Sequence, residues 1–178
     1  MPFRRTSKVW DEASLYEYAV LALGRRMRSV AELKRLMRQR VGNGHPSPEL
    51  LIDVVIARLK EQRYLNDSNY ASAYASLRKE NSKFGRQRVI SDLKSRGVHK
   101  EIIEKAVSTA YAGTNEEKLA RDYLKRKRLA KPGNQKDAAR VFRALARAGF
   151  HSTTIFSILK KWDVEEEFLT SLESQRET

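Results

Sequence analysis

The apolar positions of this chain fall in short groups with helical spacing, and the groups recur. Val89, Ile90 and Leu93 reappear as Val141, Phe142 and Leu145, each set placing three side chains on one narrow helical stripe. A copied phrase follows each stripe. LKSRGVHKEII at 93–103 and LARAGFHSTTI at 145–155 share Leu, Gly and His in register, 52 residues apart. Ile103, Ala106, Val107 and Ala110, and then Ile155, Ile158, Leu159 and Trp162, both read i, i+3, i+4, i+7, the face of an amphipathic helix. Gly97 and Gly149 stand where the preceding helix needs a left-handed residue just past its end, which glycine adopts without a Cβ penalty. No run alternates with period two over several residues, so no strand is expected.

A third copy lies upstream. Ile52, Val55, Ile56 and Leu59 repeat the same spacing, and Leu33 and Leu36 answer to Ile90 and Leu93. VGNGHPS at 41–47 supplies a longer loop, after which Ser47 and Pro48 start a helix as N-cap and first helical residue. Each copy also opens with a helix: Tyr18, Ala19, Ala22 and Leu23 correspond to Tyr70, Ala71, Tyr74 and Ala75, and to Leu119, Ala120, Tyr123 and Leu124. SLYE at 14–17, SVAE at 29–32 and TNEE at 114–117 carry the capping-box pattern at repeat boundaries. The pattern predicts an all-α chain of three tandem three-helix modules, about nine helices, at 14–66, 67–113 and 114–163. An N-terminal tail at 1–13 and a fraying acidic tail at 164–178 complete it. Three short helices bury little alone, so the modules are expected to stack into an elongated, curved rod of very roughly 70 Å.

Composition adds the partner class. Among 178 residues, 40% apolar and 33% charged suit a folded, helix-rich protein better than a disordered one. The absence of cysteine removes disulfide and thiolate chemistry and matches a reducing cytoplasm. The N-terminal MPFRRTSKVWDEASL has no apolar signal region, and YAVLAL and LLIDVVIARL are too short or too broken to span a bilayer. A soluble, cytoplasmic protein is expected. The net charge of +14 builds a field that attracts polyanions, so nucleic acid or a nucleoprotein is the expected partner. The charge is uneven: Arg25, Arg26, Arg28, Lys34, Arg35, Arg38 and Arg40 stand against Glu32, and Lys125, Arg126, Lys127 and Arg128 form a run. From 163 to 178 the sign reverses.

RRMRSVAEL at 25–33, RYLNDSNYASAYASLR at 63–78 with Gly85, and SDLKSRGVHKEIIEKAV at 91–107 together resemble the RecX regulatory proteins of bacteria, which modulate the recombinase RecA. The resemblance runs from about residue 14 to 163. Arg63 stands where that family usually has Gly, Asn66 where it has Asp, and Arg40 where a helix-ending Gly is usual. The resemblance implies a non-enzymatic regulator. It would be an elongated stack of three-helix modules bound in the helical groove of the RecA–DNA filament, lowering ATPase, strand exchange and co-protease activity in recombination, repair and the SOS response. Single- and double-stranded DNA would be weaker, salt-sensitive partners of a monomer.

The residues themselves sort by role. Arg25, Arg26 and Arg28 sit at helix ends where arginine forks could meet phosphate or an acidic protein surface, with Lys34 and Arg35 on the following helix. Arg86, Arg88, Lys94 and Arg96 flank one core stripe, and Lys136, Arg140, Arg143 and Arg147 flank its copy. A charged face opposite a core stripe is ordinary, but its recurrence suggests one basic track with a steep salt dependence. Tyr70 and Tyr74 are expected in the core, and Tyr64 with Leu65 is expected to lock the first module onto the second, with Asp67 capping the next helix. His45, His99 and His151 fall one per module and form no metal shell. No phosphate loop, nucleophile elbow or H-E-x-x-H is present, so neither enzyme nor cofactor is expected. RRMRSVAEL could also pass for a helix-turn-helix, which leaves a general DNA-binding or architectural protein as the competing reading.

Overall fold

The computed structural model describes residues 10–42 and 45–177, with side chains to Gln175. Ten α-helices and no strand occur among them: α1 Glu12–Arg25, α2 Val30–Val41, α3 Pro48–Glu61, α4 Asp67–Leu77, α5 Arg86–Ser95, α6 Lys100–Ala110, α7 Glu116–Arg126, α8 Gln135–Arg147, α9 Ser152–Lys160 and α10 Glu166–Glu177. A π-helical turn, Arg78–Ser82, extends α4. Residues 1–9 of the expected N-terminal tail, and Asn43 and Gly44 of the expected loop, lie outside the described residues. Trp10 does not behave as tail: it is buried, edge-on to Tyr18 at 5.7 Å.

Polar side chains set where helices begin. Ser29 caps α2 as SVAE predicts, its Oγ accepting from Glu32 N while the Glu32 carboxylate accepts from Ser29 N. Three other expected caps shift. Asp11, not Ser14, caps α1, and Ser14 becomes the reciprocal third-residue partner of that box. Asn115, not Thr114, caps α7 by accepting from Lys118 N at 2.9 Å. Asn66 caps α4 where Asp67 was expected, because it stands one residue earlier and reaches Asn69 N at 3.0 Å. Asp67 is thereby released to accept from Val30 N at 2.8 Å, satisfying an orphan donor at the start of α2.

In each triplet the first two helices pack on the third: α1 and α2 on α3, α4 and α5 on α6, α7 and α8 on α9. The cores divide differently. Leu15, Leu33, Met37, Ile52, Val55 and Leu59 form one apolar cluster within α1–α3. Leu93, Ile103, Val107, Phe142, Leu145 and Ile155 belong to a single second cluster that joins α4–α6 to α7–α10. The reason is close backbone contact at the second junction. Gly85 N donates to Ala148 O at 2.8 Å and Gln87 N to Gly149 O at 3.2 Å. Gly149 has φ +86°, and a Cβ there would lie 2.1 Å from Arg88 N.

The first junction is polar. Ser29 Oγ donates to Arg96 O at 2.6 Å, Asp67 reaches Val30, and Gly97 lets Ala31 approach to where a Cβ would meet it at 2.5 Å. The molecule is drawn out along the stack. Its surface of 11920 Å² exceeds the roughly 8,900 Å² of a compact monomer of 20.5 kDa.

The acidic tail is not frayed. Residues 166–177 form α10, which packs on α8 and α9 with Leu169 fully buried and Leu172 nearly so. Glu166 and Glu167 lie in its first turn, where carboxylates favour the positive end of the helix dipole, and Glu166 pairs with Lys160 at 2.7 Å. The acidic run thus opens a helix whose apolar residues close the end of the shared core. Among the described residues no helix is long and apolar enough to cross a membrane.

Candidate nucleic-acid interface

The first junction gathers arginines from three segments. The turn after α1 supplies Arg26 and Arg28, α2 supplies Arg35, and the end of α5 supplies Arg96. Together with Glu32 and Ser95 they line an open cleft of about 450 Å³. Arg28 is tethered through Nε to Ala22 O, and Arg35 through Nε to Ala31 O and Nη2 to Ser95 O, all at 3.4 Å, which leaves each guanidinium with further N–H donors. Arg96 has a different task. It pairs with Glu32 at 2.5 Å, donates to the Tyr70 hydroxyl at 3.1 Å and lies 4.9 Å from the Tyr74 ring centroid.

That brace decides the electrostatics of the cleft. Burial works against the Arg96 charge, but Tyr70 and Glu32 outweigh it and hold the guanidinium pKa above its ordinary value. Burial, then the neighbouring Glu32, pushes the Tyr70 hydroxyl up. Among the described residues Glu32 is the one acid lining the cleft, and it pairs with Arg96. Among the described residues no ion pair engages Arg26, Arg28 or Arg35.

Lys34 is not brought into this cleft. It pairs with Asp53 of α3 at 2.6 Å, and that hydrogen bond lowers the Asp53 pKa. Arg38 likewise makes a two-pronged pair with Glu49 at 2.6 and 2.7 Å, which depresses the carboxyl. Arg40 lies over the Trp10 and Tyr18 rings, at 5.5 and 5.3 Å. Arg25 is exposed at the end of α1.

A second cluster surrounds Tyr123 at the other junction. Its ring packs on Phe84 and Phe150, and burial raises its pKa against the opposing effect of Arg147 and Arg88. Lys127 Nζ lies 5.9 Å from the same ring. Cations from α5, the end of α7 and α8 therefore converge here. Arg88 also pairs with Asp92 at 3.0 Å. Arg86 stands apart, 5.9 Å from the Tyr111 ring in a cleft shared with Glu116 and His151. Lys94, Lys125, Arg126, Arg128 and Arg140 are exposed. Arg143 and Arg147 border an apolar cleft of about 390 Å³ whose other wall, Leu172, comes from α10.

Two features escaped sequence reasoning. The α10 wall was hidden by the assumption of a loose tail, although Phe168, Leu169 and Leu172 carry helical apolar spacing. Tyr64 was expected to lock the modules, but only Leu65 is buried, at 3% exposed, while Tyr64 is 58% exposed. The backbone explains the difference. Tyr64 N and Leu65 N both bond to Leu59 O, so the chain turns sharply and only one of the two side chains can enter the core.

Comparison with known proteins completes the description. Residues 66–107, which include α4, α5 and most of α6, match the family model described as RecX, second three-helix domain. Regulatory protein RecX of Mycolicibacterium vanbaalenii is 30% identical over 141 residues, spanning 75% of this chain and 74% of that protein. Regulatory protein RecX of Geobacillus kaustophilus is 28% identical over 149 residues, which is 81% of this chain and about half, 52%, of that longer relative. The crystal structure of RecX from Lactobacillus salivarius superposes with a TM-score of 0.67 at 21% identity, covering 86% of this chain and 97% of that one, a likeness of fold. With this extent of shared sequence, the chain belongs to the RecX family of regulatory proteins.

Proposed function

We propose that this protein regulates RecA by lying in the helical groove of the RecA–DNA filament, mainly inhibiting ATPase, strand exchange and co-protease activity. It acts as a cytoplasmic monomer with no catalytic step of its own. The observation that carries the reading is the junction cleft, where Glu32 is taken up by Arg96 and three arginines line the opening with no ion-pair partner among the described residues. Arginine forks suit phosphate and carboxylate alike, so one surface can touch DNA and an acidic protein groove together. The drawn-out stack supports the same reading, because it spreads further cations at the Tyr123 junction and along α8 over a long object.

The test is RecA ATPase on single-stranded DNA with substoichiometric protein added. Inhibition well below one protein per RecA is expected. The pair Arg26→Glu and Arg35→Glu, both exposed, should raise the concentration needed by about tenfold or more while helicity stays normal. Tight, salt-sensitive DNA binding with no effect on ATPase would replace this reading with a general DNA-binding protein.

A further inference from the structure

We infer that the small cleft between the end of α1 and the α3–α4 turn is a subsite for one unstacked base of single-stranded DNA, with the Tyr64 ring as its platform. The inference rests on the DNA contact in the function proposed above and deepens it. The cleft measures about 140 Å³ and is lined by Leu23, Met27, Arg28, Arg63, Tyr64 and Asn69 among others. Such a volume is too small for a self-standing small-molecule site, so an occupant would be one group of a longer ligand.

The wall has the chemistry of a base platform. Tyr64 and Met27 are 58% and 57% exposed, two large apolar side chains left open in one cleft beside two arginines. The Tyr64 ring and hydroxyl have no partner among the described residues, unlike Tyr70, Tyr74 and Tyr111, whose hydroxyls are all bonded. Its backbone is nonetheless held: Tyr64 N bonds to Leu59 O at 2.9 Å, Leu65 plugs the core, and Asn66 caps the next helix. With the backbone that carries it fixed, the ring has only its own side-chain torsions left to order, and stacking on it accepts any base.

Charge selects the kind of ligand. Arg28 lines both this cleft and the larger arginine cleft. A strand whose phosphates run past Arg26, Arg28 and Arg35 therefore passes the mouth of the Tyr64 cleft, into which one base can turn. Duplex DNA, with its bases stacked and paired, offers no face to this ring.

Binding of fluorescent oligothymidylate to the full chain, without RecA, tests the assignment. Tyr64→Ala should weaken binding about tenfold, and Tyr64→Phe should keep it near wild type. An abasic oligonucleotide of the same length should bind wild type and Tyr64→Ala alike, and the salt slope of the two on oligothymidylate should match, because no phosphate contact is removed. Unchanged affinity of Tyr64→Ala for oligothymidylate overturns the subsite. So does an equal loss on the abasic strand, which would mean that the ring serves the fold or the phosphates. A defect of Tyr64→Ala seen only when RecA is present also overturns it, since the ring would then dock on protein. The two readings fail separately: wild type that inhibits RecA with an indifferent Tyr64 sinks only the subsite, while Tyr64-dependent strand binding without RecA inhibition sinks only the filament role.

Discussion

Arg63 shows how one residue can carry opposing demands. Its φ of 61° is left-handed, where the RecX resemblance leads one to expect glycine. For an L-residue that conformation costs roughly 1–2 kcal/mol, so Arg63→Gly should gain about 1 kcal/mol in urea unfolding. The same change should weaken oligothymidylate binding, because the guanidinium beside Tyr64 is lost. A variant that gained stability and kept full affinity would remove Arg63 from the binding surface. At this scale the sequence was legible where one side chain has one job: Ser29, Gly97 and Gly149 stand where the pattern puts them. Lys34 and Arg96 were not legible as bystanders. Their partners Asp53 and Glu32 are 19 and 64 residues away, and nothing in a local window announces such a pair.

Elements follow the local pattern more faithfully than their ends do. The nine helices expected by periodicity all form, because an amphipathic stripe has one stable use in water. Their starting points shift by one to three residues wherever two polar residues compete for the cap, as Asp11 with Ser14 and Asn115 with Thr114 do. The tenth helix needed the end of the shared core to be visible, since only Phe168, Leu169 and Leu172 of α10 reach it. Contacts between elements rest on glycine. Gly149→Ala should destabilise by about 3 kcal/mol or more, combining the left-handed penalty with backbone overlap at Arg88. Thermal unfolding measures it, and a loss below 1 kcal/mol would mean that the α5–α8 approach relaxes freely.

For the whole molecule, two apolar clusters joined by a polar junction define its mechanics. Ser29, Glu32, Asp67, Tyr70 and Arg96 hold α1–α3 to the rest through hydrogen bonds rather than shared apolar packing. Such a junction opens at lower cost than the core it links, so α1–α3 should behave as its own exchange unit. Leu33→Ala, at a fully buried position, should cost about 2–5 kcal/mol and speed amide exchange across α1, α2 and α3. Protection in α7, α8 and α9 should hardly change. Uniform acceleration along the chain would show instead that all ten helices unfold together. The arginine cleft sits on this boundary.

By itself the sequence determined the helices, their threefold repetition, the core positions and the basic character, because these follow from side-chain periodicity, glycine geometry and net charge, all of which are local or additive. Only the tertiary structure decided that two modules share a core, that the acidic end is a packed helix, that Glu32 neutralises Arg96 rather than the cleft, and that Tyr64 faces water. Each of these depends on which distant groups come within a few ångströms, and that is settled by packing rather than by any short stretch of chain.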